Sequence, residues 1–227
     1  MLAAIHVALC LWFHYDRAWQ GDEWGSRVGM EESYTYLLTH FSAWMSMIFY
    51  LSVLKVIRDV FGGSNWLLVT PGILAGCWLV YLTAHIASRF RKGAGIAAAA
   101  LVATNAYLVG YSVTIRCYIF LAAFSMAALA SLYSWRDHSR WRDGVLFGVM
   151  SLLALLSSAN AVYPLIAFAV VALCWTFGQP TPERWRALSR LAIPAAVCVA
   201  LALAAYVPQI SDIRTPGRYG STRRPSR

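Results

Sequence analysis

Two adjacent carboxylates, Asp22 and Glu23, follow the first apolar run of the chain in the stretch Gly21-Asp22-Glu23-Trp24. Acidic residues are scarce elsewhere, because only 10 of the 227 residues are Asp or Glu. An ionised carboxylate at a membrane interface can accept a proton from an attacking hydroxyl group, which is general-base chemistry. Adjacent residues of a helix point about 100° apart, so we expect only one of the two to face a reacting centre. The pair would also suit a solvated loop that marks the end of a helix.

A second polar island runs from Tyr111 to Tyr118 and carries Ser112 and Arg116 between two apolar runs. The planar guanidinium group of arginine suits a pair of phosphate oxygens. A permanent cation beside hydrocarbon costs free energy unless it is paired or hydrated. Arg116 is therefore a candidate phosphate ligand, although an arginine that snorkels from a helix end would give the same pattern.

Two further candidates are His40, which precedes an apolar and aromatic stretch, and Tyr163, which lies at a turn between apolar runs. A lone histidine is more often structural than a ligand. The five histidines show no ligand spacing with carboxylates, and the five cysteines form no CxxC pair. The chain also has no glycine-rich phosphate loop and no nucleophile elbow. The sequence therefore predicts neither a metal site nor a bound cofactor.

Membrane helices must position these residues. The chain is 59% hydrophobic and 13% charged, and its mean hydropathy is +0.56. About 20 apolar residues cross a bilayer as a helix. The net charge of +9 does not indicate nucleic-acid binding, because the basic residues lie in short clusters between the apolar runs. We expect a multi-pass protein of the cell's inner or plasma membrane, with spans at 66–87, 95–113, 117–135, 143–160, 161–178 and 190–208.

The basic clusters predict the orientation of the spans. Residues 89–92, 136–142 and 184–190 are rich in arginine, and the positive-inside rule places them in the cytoplasm. The island around Arg116 then lies on the opposite side. Residues 41–57 either cross the membrane or lie at its surface, and only the second arrangement, which we favour, brings Asp22-Glu23 to that side.

Other patterns predict surface helices, helix packing and a tail. Residues 28–38 are expected to form a short helix on the membrane surface. Gly72–Gly76 and Gly144–Gly148 have the spacing that lets membrane helices approach closely. Residues 1–210 are expected to form one membrane domain, and residues 211–227 a disordered basic tail.

The order of these features resembles the N-terminal half of polytopic GT-C glycosyltransferases, the group of the protein O-mannosyltransferases and aminoarabinose transferases. The similar features are Asp22-Glu23 after an apolar helix, His40 before an interfacial stretch, and the pattern Ser112-x-x-x-Arg116-x-Tyr118 after an alanine-rich span. The resemblance covers roughly residues 10–210.

This resemblance implies an all-α membrane protein, a polytopic transmembrane helix bundle of the GT-C type with juxtamembrane interfacial helices in its first external loop. It implies an enzyme that moves a sugar from a polyprenyl-phosphate donor, within membrane lipid, to an unidentified acceptor on the non-cytoplasmic face. Asp22 matches the family's base, and Arg116 would contact the lipid phosphate. The remaining site candidates are Glu23 for catalysis and Tyr118, His40, Ser112 and Tyr163 for substrate binding.

Family members are usually longer, and they carry His-Pro-Pro where this chain has His40-Phe41-Ser42. Three expectations therefore stay open: the chain is a fragment, a truncated gene product, or half of a split machine, and in the last case a second membrane chain is a candidate partner. Two other functions remain open from the sequence. One is a lipid-carrier flippase or transporter, for which ionisable residues are expected in the middle of spans. The other is an inactive assembly partner of a larger membrane complex.

Overall fold

The computed structural model of the chain describes residues 1–15, 21–39, 47–178 and 181–213. Across these ranges the regular structure is helical and includes no strand, which confirms the all-α prediction. The helices are α1 (Leu2–Tyr15), α2 (Gly21–Glu31), α3 (Tyr34–Thr39), α4 (Ile48–Phe61), α5 (Asn65–Ser88), α6 (Ala94–Thr104), α7 (Ala106–Val113), α8 (Tyr118–His138), α9 (Trp141–Ser157), α10 (Val162–Phe177) and α11 (Thr181–Ile213).

Several of these helices can cross a bilayer. Within the described ranges, α5, α8, Ala159–Phe177 and Arg184–Gln209 are long and apolar enough to do so, and the bent pair α6–α7 would make a fifth span. Helix α9 covers most of the predicted span 143–160. It has 17 residues and is about 25 Å long at 1.5 Å per residue, which is shorter than the ~30 Å of a hydrocarbon core, and it is not among the candidate spans. The prediction of a polytopic helix bundle is confirmed.

The predicted span 95–113 is broken at Asn105. Helices α6 and α7 meet there at an angle of 57°. The backbone of Asn105 is extended, and its side-chain oxygen accepts a hydrogen bond from Leu108 N over 3.1 Å. Asparagine is a preferred N-cap because it satisfies an N–H group that a new helix leaves free. In the sequence this asparagine is a single polar position within an apolar run, which does not reveal the break.

The bundle has two distinct ends, which we call the basic end, after its arginine clusters, and the α2 end, after the helix that lies over it. At the basic end, Arg89 pairs with Asp137 over 2.8 Å and Arg190 donates to Ser139 O over 2.7 Å, so the end of α5, the α8–α9 turn and the first half of α11 lie together. The three arginine-rich clusters predicted to be cytoplasmic all lie at this end. At the α2 end, the α7–α8 island, the α9–α10 turn and the last turns of α11 lie together.

Helices α2, α3 and α4 lie over the α2 end. Glu23 of α2 bonds to the island there, and α4 leads through Gly62–Ser64 into the first turn of α5 at the same end. Phe49, near the start of α4, packs on Phe120 near the start of α8, so residues 47–57 stay at this end of the bundle. Residues 41–46 lie outside the described residues, and the surface position of 41–57 stays a prediction. The short helix predicted at 28–38 is wrong in its bounds, because α2 ends at Glu31 and α3 begins at Tyr34.

The last helix reaches back to these surface helices. Tyr206 donates its hydroxyl hydrogen to Leu155 O, which joins α11 to the end of α9. Gln209, 2% exposed, donates from Nε2 to Leu37 O over 3.2 Å and so holds the end of α11 against α3. Helix α11 continues to Ile213, and the rest of the predicted tail, 214–227, lies outside the described residues.

Both glycine pairs pack as predicted. A Cβ atom added to Gly72 would collide with Ser112 O, and one added to Gly76 would lie 2.5 Å from Ser112 Oγ. In the second pair, a Cβ on Gly144 would collide with Arg190 O, and one on Gly148 would lie 2.9 Å from Pro194 O. Helices α5 and α7, and likewise α9 and α11, therefore touch backbone to backbone.

Candidate functional site

The acidic pair lies within α2, and Glu23 reaches the island between α7 and α8. Glu23 is 3% exposed, and its Oε1 atom accepts a hydrogen bond from Ile115 N over 2.8 Å. The two residues are 92 positions apart along the chain. A buried carboxylate bonded to a backbone N–H group is a strong, charge-assisted interaction. The open alternative of a solvated loop is therefore wrong for Glu23.

Arg116 follows the residue that Glu23 binds. Its side chain is buried, with 7% of the residue exposed. The guanidinium group lies 5.6 Å from the ring centre of Tyr118, and Nη2 donates to Tyr118 Oη over 3.4 Å. Arg116 thus lies against an aromatic face at the mouth of the bundle, rather than extending along a helix to the surface. This position is suited to the recognition of an anion.

The island has a defined backbone of its own. Thr114 caps α7 in an extended conformation, and its N–H and hydroxyl groups both donate to Gly110 O. Arg116 N then donates to Thr114 O over 2.7 Å. These hydrogen bonds fix the backbone of the short segment that carries Arg116.

Tyr50 of α4 completes the neighbourhood. It is 2% exposed, and its ring packs on Phe120 with the centres 5.4 Å apart. Burial raises the pKa of Tyr50 well above its usual value, and the charge of Arg116 opposes this rise. The Tyr50 hydroxyl therefore keeps its proton at neutral pH.

Lys55 joins the three surface helices. It is 7% exposed, and its Nζ atom donates to Met30 O, in the last turn of α2, over 3.4 Å. A cation is favoured there because the C-terminus of a helix carries a partial negative charge. The same ammonium group lies 3.6 Å from Asp59 and 5.0 Å from the ring centre of Tyr34. Lys55 thereby fixes α2, and with it Glu23, on α4.

A cavity of about 510 Å³ opens at the end of α1. Its lining among the described residues is Leu11, Trp12, Phe13 and Tyr15. The end of α1 is also the α2 end of the bundle, because His14 packs edge-on against Trp66 with ring centres 4.4 Å apart. The volume lies within the range of small-molecule sites, and the lining is aromatic and apolar.

The other predicted site residues differ in their positions and in their exposure. Ser112 is fully buried and bonds to His6 and to Leu108 O, so its hydroxyl lies in a helix junction and not at the surface of the island. Tyr163 is 72% exposed on α10. Asp22 lies in α2 immediately before Glu23, but its side chain is outside the described part. His40 is outside the described residues altogether.

Sequence reasoning missed three buried polar residues near this site: His6, Tyr50 and Lys55. The available signal was a single polar or charged residue within an otherwise apolar run, and this signal does not distinguish a functional residue from a structural one. No group of three His, Cys, Asp or Glu residues in the described ranges could hold a metal ion.

The comparisons with known proteins agree with this architecture. The family model described as dolichyl-phosphate-mannose-protein mannosyltransferase matches residues 41–211. The chain belongs to this family. It is accordingly a multi-pass membrane glycosyltransferase of the GT-C type. The match includes Arg116 and Tyr118 but begins after Asp22 and Glu23. No curated protein and no solved structure matches the chain.

Proposed function

We propose that the chain transfers a sugar from a polyprenyl-phosphate donor to an acceptor on the non-cytoplasmic side of a cell membrane. The observation that carries the proposal is the hydrogen bond from Ile115 N to Glu23, because it brings the acidic helix α2 to the residue before Arg116. An acid and a cation then lie at one end of the bundle, opposite the arginine-rich end that the positive-inside rule assigns to the cytoplasm.

In this mechanism an acceptor oxygen attacks the anomeric carbon and inverts it. Asp22 takes the acceptor's proton as general base, since the carboxylate of Glu23 already holds Ile115. The bond between the anomeric carbon and the phosphate oxygen breaks, and its electron pair leaves with the polyprenyl phosphate. Arg116 stabilises the charge that builds on this phosphate. Tyr118 supports Arg116 through its ring and its hydroxyl group.

The neighbouring features suit such a donor. The aromatic and apolar lining of the cavity at Leu11–Tyr15 fits an isoprenyl segment, and it opens at the same end as Arg116. Tyr50 supplies a protonated hydroxyl beside the charged pair. His40, which follows α3 closely, remains a candidate for sugar binding. The family description makes dolichyl-phosphate mannose the first donor to test.

The test measures donor consumption in membranes that contain the full chain and radiolabelled dolichyl-phosphate mannose, so that the acceptor need not be known. Asp22→Asn and Arg116→Ala should each lower consumption by about 100-fold, the effect of removing a general base or an electrostatic stabiliser. The matched control is Glu31→Gln, which changes an exposed acid on the same helix α2 and should leave the rate unchanged. Near-normal turnover in both Asp22→Asn and Arg116→Ala would refute the mechanism.

The location of the site has a separate test. Cysteine substitutions at Trp24 and Tyr111, both exposed at the α2 end, should react with a membrane-impermeant thiol reagent added outside sealed cells or spheroplasts. A cysteine at Phe90, exposed at the basic end, should react only after the membrane is opened. The reverse pattern would place the transfer on the cytoplasmic face and contradict the proposal.

A further inference from the structure

His6 is a fully buried histidine in the apolar helix α1 that the proposed mechanism does not use. Both of its ring nitrogens have partners on other helices. Nδ1 lies 3.1 Å from Ala103 O, and Nε2 lies 3.1 Å from Ser112 Oγ. These contacts join α1 to residues about 100 positions away, as the separations of 97 and 106 residues show.

The two partners lie on opposite sides of the break at Asn105. Ala103 is in the last turn of α6, where helix carbonyl groups lose their partners within the helix. Ser112 is in the last turn of α7, directly before the island. One imidazole ring therefore bridges the two halves of a span that bends by 57°. Because the ring is rigid, it limits both the bend and the position from which the island leaves α7.

Helix α5 leaves little room around this ring. A Cβ atom on Gly76 would collide with His6 Nε2 and would lie 2.5 Å from Ser112 Oγ, while Gly72 touches the backbone oxygen of Ser112. Glycine at both positions lets the ring and the serine lie directly on the α5 backbone. Three helices thus converge on the His6–Ser112 hydrogen bond.

The donors and acceptors at this junction can be assigned. Ala103 O can only accept, so Nδ1 carries a hydrogen and donates it. In the neutral ring, Nε2 is then an acceptor for the hydroxyl hydrogen of Ser112. The Ser112 oxygen also lies 2.8 Å from Leu108 O, so its single hydrogen has two acceptors within reach. All of these polar atoms would be costly to leave unpaired at a buried site.

We propose that His6 is a positioning residue for sugar transfer: by bridging Ala103 and Ser112 it fixes the α6–α7 bend and so holds Ile115 and Arg116 against α2. The path is short, since Ile115 is three residues after Ser112 and donates to Glu23. The proposal rests on the function proposed above for Arg116, but it makes a separate claim about the geometry of the island.

The first measurement is hydrogen exchange of the Ile115 amide by mass spectrometry of the full chain in phosphatidylcholine nanodiscs. His6→Leu and Ser112→Ala should each raise the exchange of peptides that contain Ile115 by about tenfold, the equivalent of one lost hydrogen bond. His6→Gln should restore part of the protection, since its amide can replace one of the two bonds. Unchanged protection in both His6→Leu and Ser112→Ala overturns the proposal.

The second measurement is the affinity for a fluorescent polyprenyl monophosphate in the same nanodiscs. Gly76→Ala, which displaces the His6 ring, should weaken binding by about tenfold. The matched control is Gly148→Ala, a similar collision at the α9–α11 contact far from His6. Both variants should lose stability, but the control should keep its affinity. An equal loss of affinity in the two variants would mean that general destabilisation explains the effect, and it would refute the proposal.

The two measurements separate failure of this proposal from failure of the proposed function. If Arg116→Ala binds the probe normally while His6→Leu raises exchange at Ile115, His6 positions the island but the island does not bind phosphate. If Arg116→Ala abolishes binding while His6→Leu changes neither exchange nor affinity, the phosphate site stands and the role of His6 is refuted.

Discussion

The two ends of the bundle each bury a carboxylate, but they use it differently. At the basic end, Asp143 is 3% exposed, and its Oδ1 atom accepts from Ser134, which is nine residues away along the chain. At the α2 end, Glu23 accepts from Ile115, which is 92 residues away. The first contact closes a local turn between two successive helices. The second joins a surface helix to a break between spans, and therefore places groups that are distant in sequence beside each other.

The charged groups of the two ends differ in burial. Arg136 pairs with its neighbour Asp137, and Arg89, which is 48 residues away along the chain, shares that carboxylate, so the basic end contains ion pairs that are partly exposed. Arg116 at the α2 end lies buried against Tyr118. The arginines of the two ends therefore differ in their surroundings: those at the basic end form partly exposed ion pairs, whereas Arg116 is buried against a tyrosine ring.

The strongest test of this difference between the two ends removes one arginine from each of them. Arg116→Ala should reduce donor consumption by about 100-fold, because a positioned cation stabilises charge on the leaving phosphate. Arg136→Ala removes a cation from between Tyr133 and Trp175 and should change the rate by less than about twofold, as expected for an exposed pair. Similar losses in the two variants, measured in the membrane assay, would show that the ends do not differ in function.

Alanine substitutions at the close glycine contacts compare the packing of the two helix pairs. Gly72→Ala and Gly144→Ala each place a Cβ atom against a backbone carbonyl, and each should lower the free energy of unfolding in SDS titration by about 3 kcal/mol. Only Gly72→Ala presses on Ser112 and should also weaken polyprenyl phosphate binding.

The control for both is Gly110→Ala, since no atom lies within 4 Å of the added Cβ. If that variant is as unstable as the other two, backbone contact does not explain the glycines.

Substitution of either buried carboxylate should have a smaller effect than the glycine substitutions. Glu23→Ala leaves the Ile115 N–H group without its acceptor and should reduce stability by about 1–3 kcal/mol, while Glu23→Gln keeps an oxygen there and should recover most of the loss. At the basic end, Asp143→Ala and Asp143→Asn should follow the same order without lowering the affinity for polyprenyl phosphate. An affinity loss in Asp143→Asn would link the two ends and contradict their independence.

The smallest effect is expected for the ion pair between Arg89 and Asp137. Both side chains are about a third exposed, so Arg89→Ala should change stability by no more than about 1 kcal/mol. The loss should shrink in 1 M salt because exposed charges are screened. A loss that is large and independent of salt would show that the basic end is packed as tightly as the α2 end.

Much of the fold could be predicted from the sequence because it depends on local composition. Long apolar runs mark α5, α8, α10 and α11, and clustered arginines mark one end of the bundle. The break at Asn105 was missed because one polar residue in an alanine-rich run does not change the hydropathy of the span. The bounds of α2 and α3 were missed because short surface helices depend on contacts such as that of Lys55 with Met30 O.

The candidate site shows the same limit. The types of Glu23 and Arg116 suggested chemistry, but their proximity depends on a hydrogen bond between distant segments that no local pattern encodes. Ser112 was expected to bind substrate because it begins the pattern that ends at Tyr118, yet its helical position turns it towards His6. His6 gave only the weak signal of one polar residue in an apolar run, since a single histidine in a hydrophobic helix has no periodic or motif context.

The bond between Gln209 and Leu37 has a consequence for biosynthesis. The two residues are 172 positions apart, so at ~5–20 residues per second the ribosome needs about 10–30 s to make the partner of α3 after α3 itself. During that interval the juxtamembrane helices lack the hydrogen bond from Gln209 of α11. The juxtamembrane helices can therefore reach their final packing only after α11 has been made and has entered the bilayer, so their position depends on a span that follows much later in the chain.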